Sequence, residues 1–228
     1  MLNESETRLG LFTTLEGIDF TGKTPIANWL KEDLEKRGLR VDLTRDPPYK
    51  LSPWDRFKKH FERGEDLSYI SEAFLLLAAR LDNYEKFILP KLQTGAVVIA
   101  DRFLDSWFAY QSVRLAKYFG DEEPALEFLM RLNQGLVDRG LLSFPNVTLL
   151  IVNDPAETMQ RAKEVKTLSK YEVMDAQVKV ALQYQRLVQL FPERIKVVDA
   201  RGKEIPKVYE DAKKILTGEV VRHYYEGK

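Results

Sequence analysis

Along the chain, short apolar runs that stop at glycine, asparagine or an acid–base pair alternate with longer stretches whose apolar positions recur at three- and four-residue steps. The first run, "LGLFTTLE" at 9–16, halts at a glycine-bearing loop, and "PIANWLKEDLEKRG" at 25–38 then has the spacing and closing glycine of a helix. "RVDLT" at 40–44, "GAVVIADR" at 95–102, "NVTLLIVND" at 146–154 and "RIKVVDA" at 194–200 repeat the pattern of a buried strand. Between them, Ile70, Phe74, Leu77, Leu81, Tyr84 and Ile88 predict one long amphipathic helix over 67–92. Segments 106–119, 123–138, 155–165, 171–191 and 204–218 read as further helices, and 54–64 as a short one. The adjacent prolines of "RDPPY" at 45–49 exclude helix there. Strands that alternate with helices predict the α/β class: a three-layer α/β/α arrangement around a five-stranded parallel sheet. No internal repeat interrupts this order, and we expect one domain over 1–228 with 1–9 flexible.

Composition narrows the function classes. The 228 residues include 35 basic and 35 acidic side chains, so no global field draws the protein to nucleic acid or to an anionic membrane. Any anion site must be local. The absence of cysteine excludes disulfides, thiolate zinc sites and a cysteine nucleophile. "MLNESETRLG" carries both signs of charge, unlike a signal peptide, and no segment offers the roughly 18 unbroken apolar residues of a membrane span. The expectation is a soluble, cytoplasmic protein.

The candidate chemistry starts at "GIDFTGKT", Gly17, Ile18, Asp19, Phe20, Thr21, Gly22, Lys23 and Thr24. It fits G-x-x-x-x-G-K-[ST], and it lies between an expected strand and an expected helix, the context this phosphate-binding loop requires. A glycine-rich loop can turn its backbone N–H groups toward a phosphate without Cβ clashes. Lys23 would add a point charge, Thr24 a magnesium ligand, and the N-terminus of the following helix a partial positive charge. "VVIADRF" then places Asp101 at the carboxyl end of a parallel strand, where ligands of such sheets sit; it serves either a magnesium shell or a structural pair with Arg102. Arg45, Arg80 and Arg102 each fall near the end of an element, and guanidinium forks match phosphate oxygens.

These residues resemble the thymidylate kinase family from about Leu11 to about Thr217. "TTLEGIDFTGKT" is similar to that family's first strand and P-loop, "TRDPP" to its "TREPG", and "FLLLAAR" to a long helix ending in arginine. "ILPKLQTGAVVIADRFLDSWFAYQ" resembles its most recognisable stretch, and "RIKVVDARGKEIPKVYEDAKKIL" its last strand and helix. The resemblance implies a P-loop NTPase fold with a short lid at about 161–172, and magnesium-dependent transfer of the ATP γ-phosphoryl group to a deoxynucleoside monophosphate, foremost dTMP. It implies that Gly17–Thr24 holds ATP, that Lys23, Asp19, Arg102 and Arg161 are catalytic, and that Thr24 and Asp101 serve the metal. Asp19 would also take the acceptor's sugar hydroxyl. Arg45, Arg80 and Arg102 would surround the acceptor phosphate, with Leu76, Tyr110 and Gln111 at its sugar and base. A homodimer is implied too, in keeping with the aromatic and apolar residues of "SWFAYQSV" and of the long helix.

The chain departs from the family in places. Its lid segment "RAKEVKTLSKYE" keeps Arg161 but has Lys163, Val165 and Lys170 where arginines are usual, and its P-loop offers Phe20 rather than an arginine. Leu76 replaces an aromatic residue that stacks on thymine, and Pro48–Tyr49 replaces two glycines. Pro25 follows Thr24 directly, in the first helical turn where proline costs little. Two other readings therefore stand beside the first: a kinase for another nucleoside or nucleotide acceptor, and a degenerate nucleotide-binding regulatory protein.

Overall fold

A computed structural model describes residues 9–48, 67–165 and 174–226, the side chains of 162–165 excepted. Each apolar run forms a strand: β1 (Phe12–Glu16), β2 (Val41–Arg45), β3 (Val97–Asp101), β4 (Val147–Val152) and β5 (Ile195–Asp199). They make one five-stranded sheet in the order β2-β3-β1-β4-β5, and every neighbouring pair is parallel. The central strand β1 is therefore flanked by two strands that come much later in the chain. Its carboxyl end opens at the point where the order reverses, the crevice in which open α/β sheets bind ligands.

The helices are α1 (Lys23–Lys36), α2 (Tyr69–Asn83), α3 (Leu89–Gln93), α4 (Leu104–Phe119), α5 (Glu122–Val137), α6 (Pro155–Val165), α7 (Met174–Leu190) and α8 (Ile205–Val221). Successive strand residues face opposite layers, so both faces must be covered. Phe12, Val98, Ala100 and Leu150 pack with α2, α4, α5 and α7. Leu15, Ile99, Leu149 and Ile151 pack with α1 and α8 on the other face.

Three expectations need adjustment. The helix over 67–92 is broken by a π-helical turn, Tyr84–Ile88, before α3 resumes it. Pro90 lies in the first turn of α3; it lacks an N–H and its ring would crowd the carbonyl of the preceding turn, so the wider turn absorbs the conflict. Phe74, counted on the core face, is 44% exposed, while Ala73 and Leu77 take the buried positions of α2. In "SWFAYQSV" Trp107 and Phe108 are fully used by the core of this one chain, which leaves little of that stretch for a partner. The expected short helix at 54–64, Tyr49, residues 1–8 and most of the expected lid lie outside the described residues.

Candidate active site

The loop after β1 turns on unusual backbone angles. Gly17 has φ of 135° and Gly22 of 87°, and Phe20 reaches 61° without being glycine. At Gly17 a Cβ would stand 2.3 Å from the carbonyl oxygen of Ile151, so β4 itself requires the glycine. Gly22 caps α1, whose unpaired N–H groups thus open directly onto the loop. Thr21 Oγ1 donates to the Ile18 carbonyl at 3.2 Å and closes the turn.

Lys23 is buried, and its Nζ donates to the Ile18 carbonyl at 2.6 Å and to Thr21 Oγ1 at 3.2 Å. Burial, and then the positive charge of Arg102, push its pKa down to about 7, against the pull of Asp19, Asp101 and Glu16. Beside it, Thr24 Oγ1 donates to Asp101 Oδ2 at 2.5 Å. A hydroxyl and a carboxylate, both hard oxygen donors, thus meet next to the loop, the protein contribution that magnesium takes when substrate phosphates complete its shell.

Asp19 is the hub on the other side. Its carboxylate accepts from Arg102 Nη2 at 2.6 Å, from the Tyr110 hydroxyl at 2.8 Å and from Gln177 Nε2 at 3.0 Å. Burial would raise its pKa; Arg102 and Lys23 outweigh that and hold it below the usual carboxylate range. Arg102 also donates to the Gly17 carbonyl at 2.8 Å and to Ser106 Oγ at 3.0 Å, and its guanidinium lies 5.1 Å from the centre of the Tyr110 ring. Burial opposes the charge on Arg102, but Tyr110 and Asp19 raise its pKa further.

The remaining arginines divide. Arg45, at the end of β2, is the register partner of Asp101. Arg80, on α2, is almost fully buried and pairs with Asp46, its guanidinium 5.4 Å from the rings of both Phe103 and Trp107. Burial raises the Asp46 pKa against that arginine. Arg80 Nη1, Asp46 Oδ1 and Gln111 Oε1 are buried without a hydrogen-bond partner among the described residues. Such atoms call for an occupant. Leu76 is half-buried against the α2–α4 core. Arg161 sits on α6, half-buried, with no hydrogen bond to the P-loop among the described residues. The structure thus brings Gly17–Thr24, Asp101, Arg102, Arg45 and Tyr110 into one connected site. A cavity of about 660 Å³ between β4, β5 and α7 shares only Gly17 and Ile18 with that site.

Two members of the site carry no signal in the sequence: Asp46 lies inside the proline turn that follows Arg45, and Gln177 is one polar residue in a helix with no local mark to set it apart. Only the contact of Gln177 with Asp19 across 158 residues reveals it.

The sequence profile described as thymidylate kinase matches residues 15–211 of this chain. The chain belongs to the thymidylate kinase family. Membership makes it a nucleoside monophosphate kinase, and its sheet is that of a P-loop NTPase. It is 32% identical over 217 residues to a probable thymidylate kinase of Pyrococcus abyssi, covering 93% of this chain and 98% of that protein. It is 32% identical over 201 residues to a thymidylate kinase of Orientia tsutsugamushi, covering 84% and 86%. The crystal structure of thymidylate kinase from Ehrlichia chaffeensis aligns with a TM-score of 0.69 at 25% identity, over 91% of this chain and 98% of that one. β1 and α1 flank the P-loop, Asp101 ends β3, and Tyr110 and Gln111 lie on α4.

Proposed function

We propose that the protein transfers the γ-phosphoryl group of ATP to dTMP, giving ADP and dTDP. The observation that carries this reading is the continuity of two half-sites. Arg45 lies in register with Asp101, Asp101 holds Thr24 at the head of α1, and Arg102 binds the loop at Gly17 and Asp19. A triphosphate on the loop and a monophosphate among the arginines would then be neighbours.

In this reading the loop amides and the N-terminus of α1 hold the ATP phosphates, and Lys23 follows the transferred group. Thr24 and Asp101 hold magnesium, which supplies neutralisation of phosphate charge when bound. An oxygen of the acceptor phosphate forms a bond to the γ-phosphorus as the bond to the β-phosphate oxygen breaks, and no proton need move. Arg45, Arg80 and Arg102 neutralise the acceptor phosphate, Asp19 accepts from the sugar hydroxyl, and Tyr110 lines the sugar. Gln111 Oε1, buried without a hydrogen-bond partner among the described residues, suits a ring N–H of a pyrimidine base, with Leu76 giving apolar contact. Arg161 would act from the lid at 161–172. Catalysis of this kind rests on positioning and electrostatics.

We read the chain as one kinase domain that works in the cytoplasm without nucleic acid or membrane; no helix among the described residues is long and apolar enough to cross a membrane. A homodimer is part of the proposal, supported by exposed Phe74 on α2. Leu76 favours one second reading, a different monophosphate acceptor, because an aliphatic side chain selects bases by size rather than by stacking. A coupled ADP-release assay across deoxy- and ribonucleoside monophosphates tests both: highest kcat/KM with dTMP is expected, preference for another acceptor selects the second reading, and no turnover with any refutes the kinase.

A further inference from the structure

Glu16, the last residue of β1, is fully buried, a costly position for a carboxyl group that calls for dedicated partners. Its Oε1 accepts from the backbone N–H of Phe103 at 2.7 Å. Its Oε2 accepts from Ser106 Oγ and, at 3.3 Å, from the Tyr184 hydroxyl. None of these partners touches β1 through the sheet ladder; they come from the turn after β3, from α4 and from α7.

What this carboxyl braces is the turn that carries Arg102. Arg102 has φ of 72°, in the left-handed region that disfavours side chains. Such a conformation lasts only where neighbouring contacts over-determine it. Here both flanking amides are tied to β1: Arg102 N–H donates to the Leu15 carbonyl at 3.0 Å, and Phe103 N–H donates to Glu16. The Ser106 hydroxyl is shared between Arg102 Nη1 and Glu16. The same strand end therefore grips the Arg102 turn at its backbone and, through Ser106, at its guanidinium.

We propose that Glu16 is a positioning residue for phosphoryl transfer, which acts through the Phe103 amide and Ser106 to deliver the Arg102 guanidinium to Gly17 and Asp19. The inference rests on the kinase reading above. Charged and titratable groups facing Glu16 come from every side: Arg102 and Asp105 from the β3–α4 segment, Lys23 from α1, Tyr184 from α7, and Arg194 beyond Asp105. Glutamine in place of Glu16 keeps an acceptor for Phe103 N–H, whereas methionine keeps the length and removes it.

The test compares Glu16→Gln and Glu16→Met, alone and on an Arg102→Ala background, by kcat and KM for ATP and dTMP with circular dichroism as the check on folding. Displacing a catalytic group by an ångström can cost about 100-fold, so Glu16→Met is expected to lower kcat by about 10-fold or more with KM for ATP within about 3-fold. Glu16→Gln should stay within about 3-fold of wild type, and on the Arg102→Ala background Glu16→Met should cost no further kcat, since residues acting as one unit are non-additive. A Glu16→Met enzyme as fast as wild type, or one whose loss is as large without Arg102, overturns the proposal. Should Glu16→Met fail to fold, Ser106→Ala replaces it, with a kcat loss again absent on the Arg102→Ala background; undiminished kcat in Ser106→Ala overturns the proposal equally. An inactive wild type sinks the kinase reading and this inference together, whereas an active wild type with an indifferent Glu16 sinks the inference alone.

Discussion

At the residue scale, two buried ionisable groups beside the loop have pKa values pushed toward neutrality from opposite sides. Lys23, at about 7 in the ligand-free protein, must be charged to meet a phosphate, and a bound polyanion favours that form. ATP binding at pH 8 should therefore take up about one proton, a linkage that calorimetry in buffers of differing ionisation enthalpy measures and that Lys23→Arg removes. Lys23→Ala should cut kcat by on the order of 100-fold or more while the fold survives, as loss of one preorganised charge contact does elsewhere. Glu16 is raised to about 8, by burial first and then by Asp105. Its folded pKa lies above the unfolded value of 4.5, so native protein binds the extra proton between those values and stability declines as pH rises from about 4.5 to 8. The limiting slope is about 1.4 kcal/mol per pH unit. Thermal melts of Glu16→Gln and wild type from pH 5 to 8 should diverge, with the variant gaining at the upper end; parallel curves would exclude the raised pKa. The sequence made Lys23 legible because its spacing from Gly17 and Gly22 is chemical in itself. Glu16 carried no such sign, since nothing local says that a strand-end glutamate points inward.

At the element scale, helices and strands were readable to within a few residues because each needs only its own period and its own stop. The continuous helix over 67–92 was not, because apolar spacing passes smoothly through the π-turn at Tyr84–Ile88 and only the hydrogen-bond conflict at Pro90 breaks it. Phe74 fell on the wrong face for a related reason: three- and four-residue steps define a stripe, and Ala73 beside it filled the tight α2–α4 contact that a phenyl ring could not. The arginine-poor segment 161–172, which begins in the last turns of α6, makes a prediction of its own. A lysine lacks the planar fork that stabilises a spread phosphoryl charge, so Val165→Arg should raise kcat by about 10-fold, less than the roughly 10³-fold or more that a fully placed catalytic arginine supplies, because Arg161 and the lysines already carry part of the charge. Steady-state kinetics would show it, and an unchanged kcat would mean that Arg161 or the lysines already suffice.

At the scale of the whole molecule, exposed Phe74 on α2 predicts that Phe74→Lys weakens self-association, with sedimentation velocity showing a shift from dimer toward monomer at micromolar concentration. A wild type that sediments as a monomer would remove the dimer from the proposal. The amino-acid sequence by itself determined the parallel α/β class, the P-loop with its lysine and threonine, the strand-end aspartate and the arginines at element ends, because local steric rules and burial periodicity act within a few residues. Tertiary structure alone decided the strand order β2-β3-β1-β4-β5, the pairing of Arg80 with Asp46, the reach of Gln177 to Asp19 and the bracing of the Arg102 turn by Glu16. Those features are contacts between segments far apart in the chain, and a buried polar group chooses its partner from whatever the packed layers bring within hydrogen-bond distance, which no local pattern encodes.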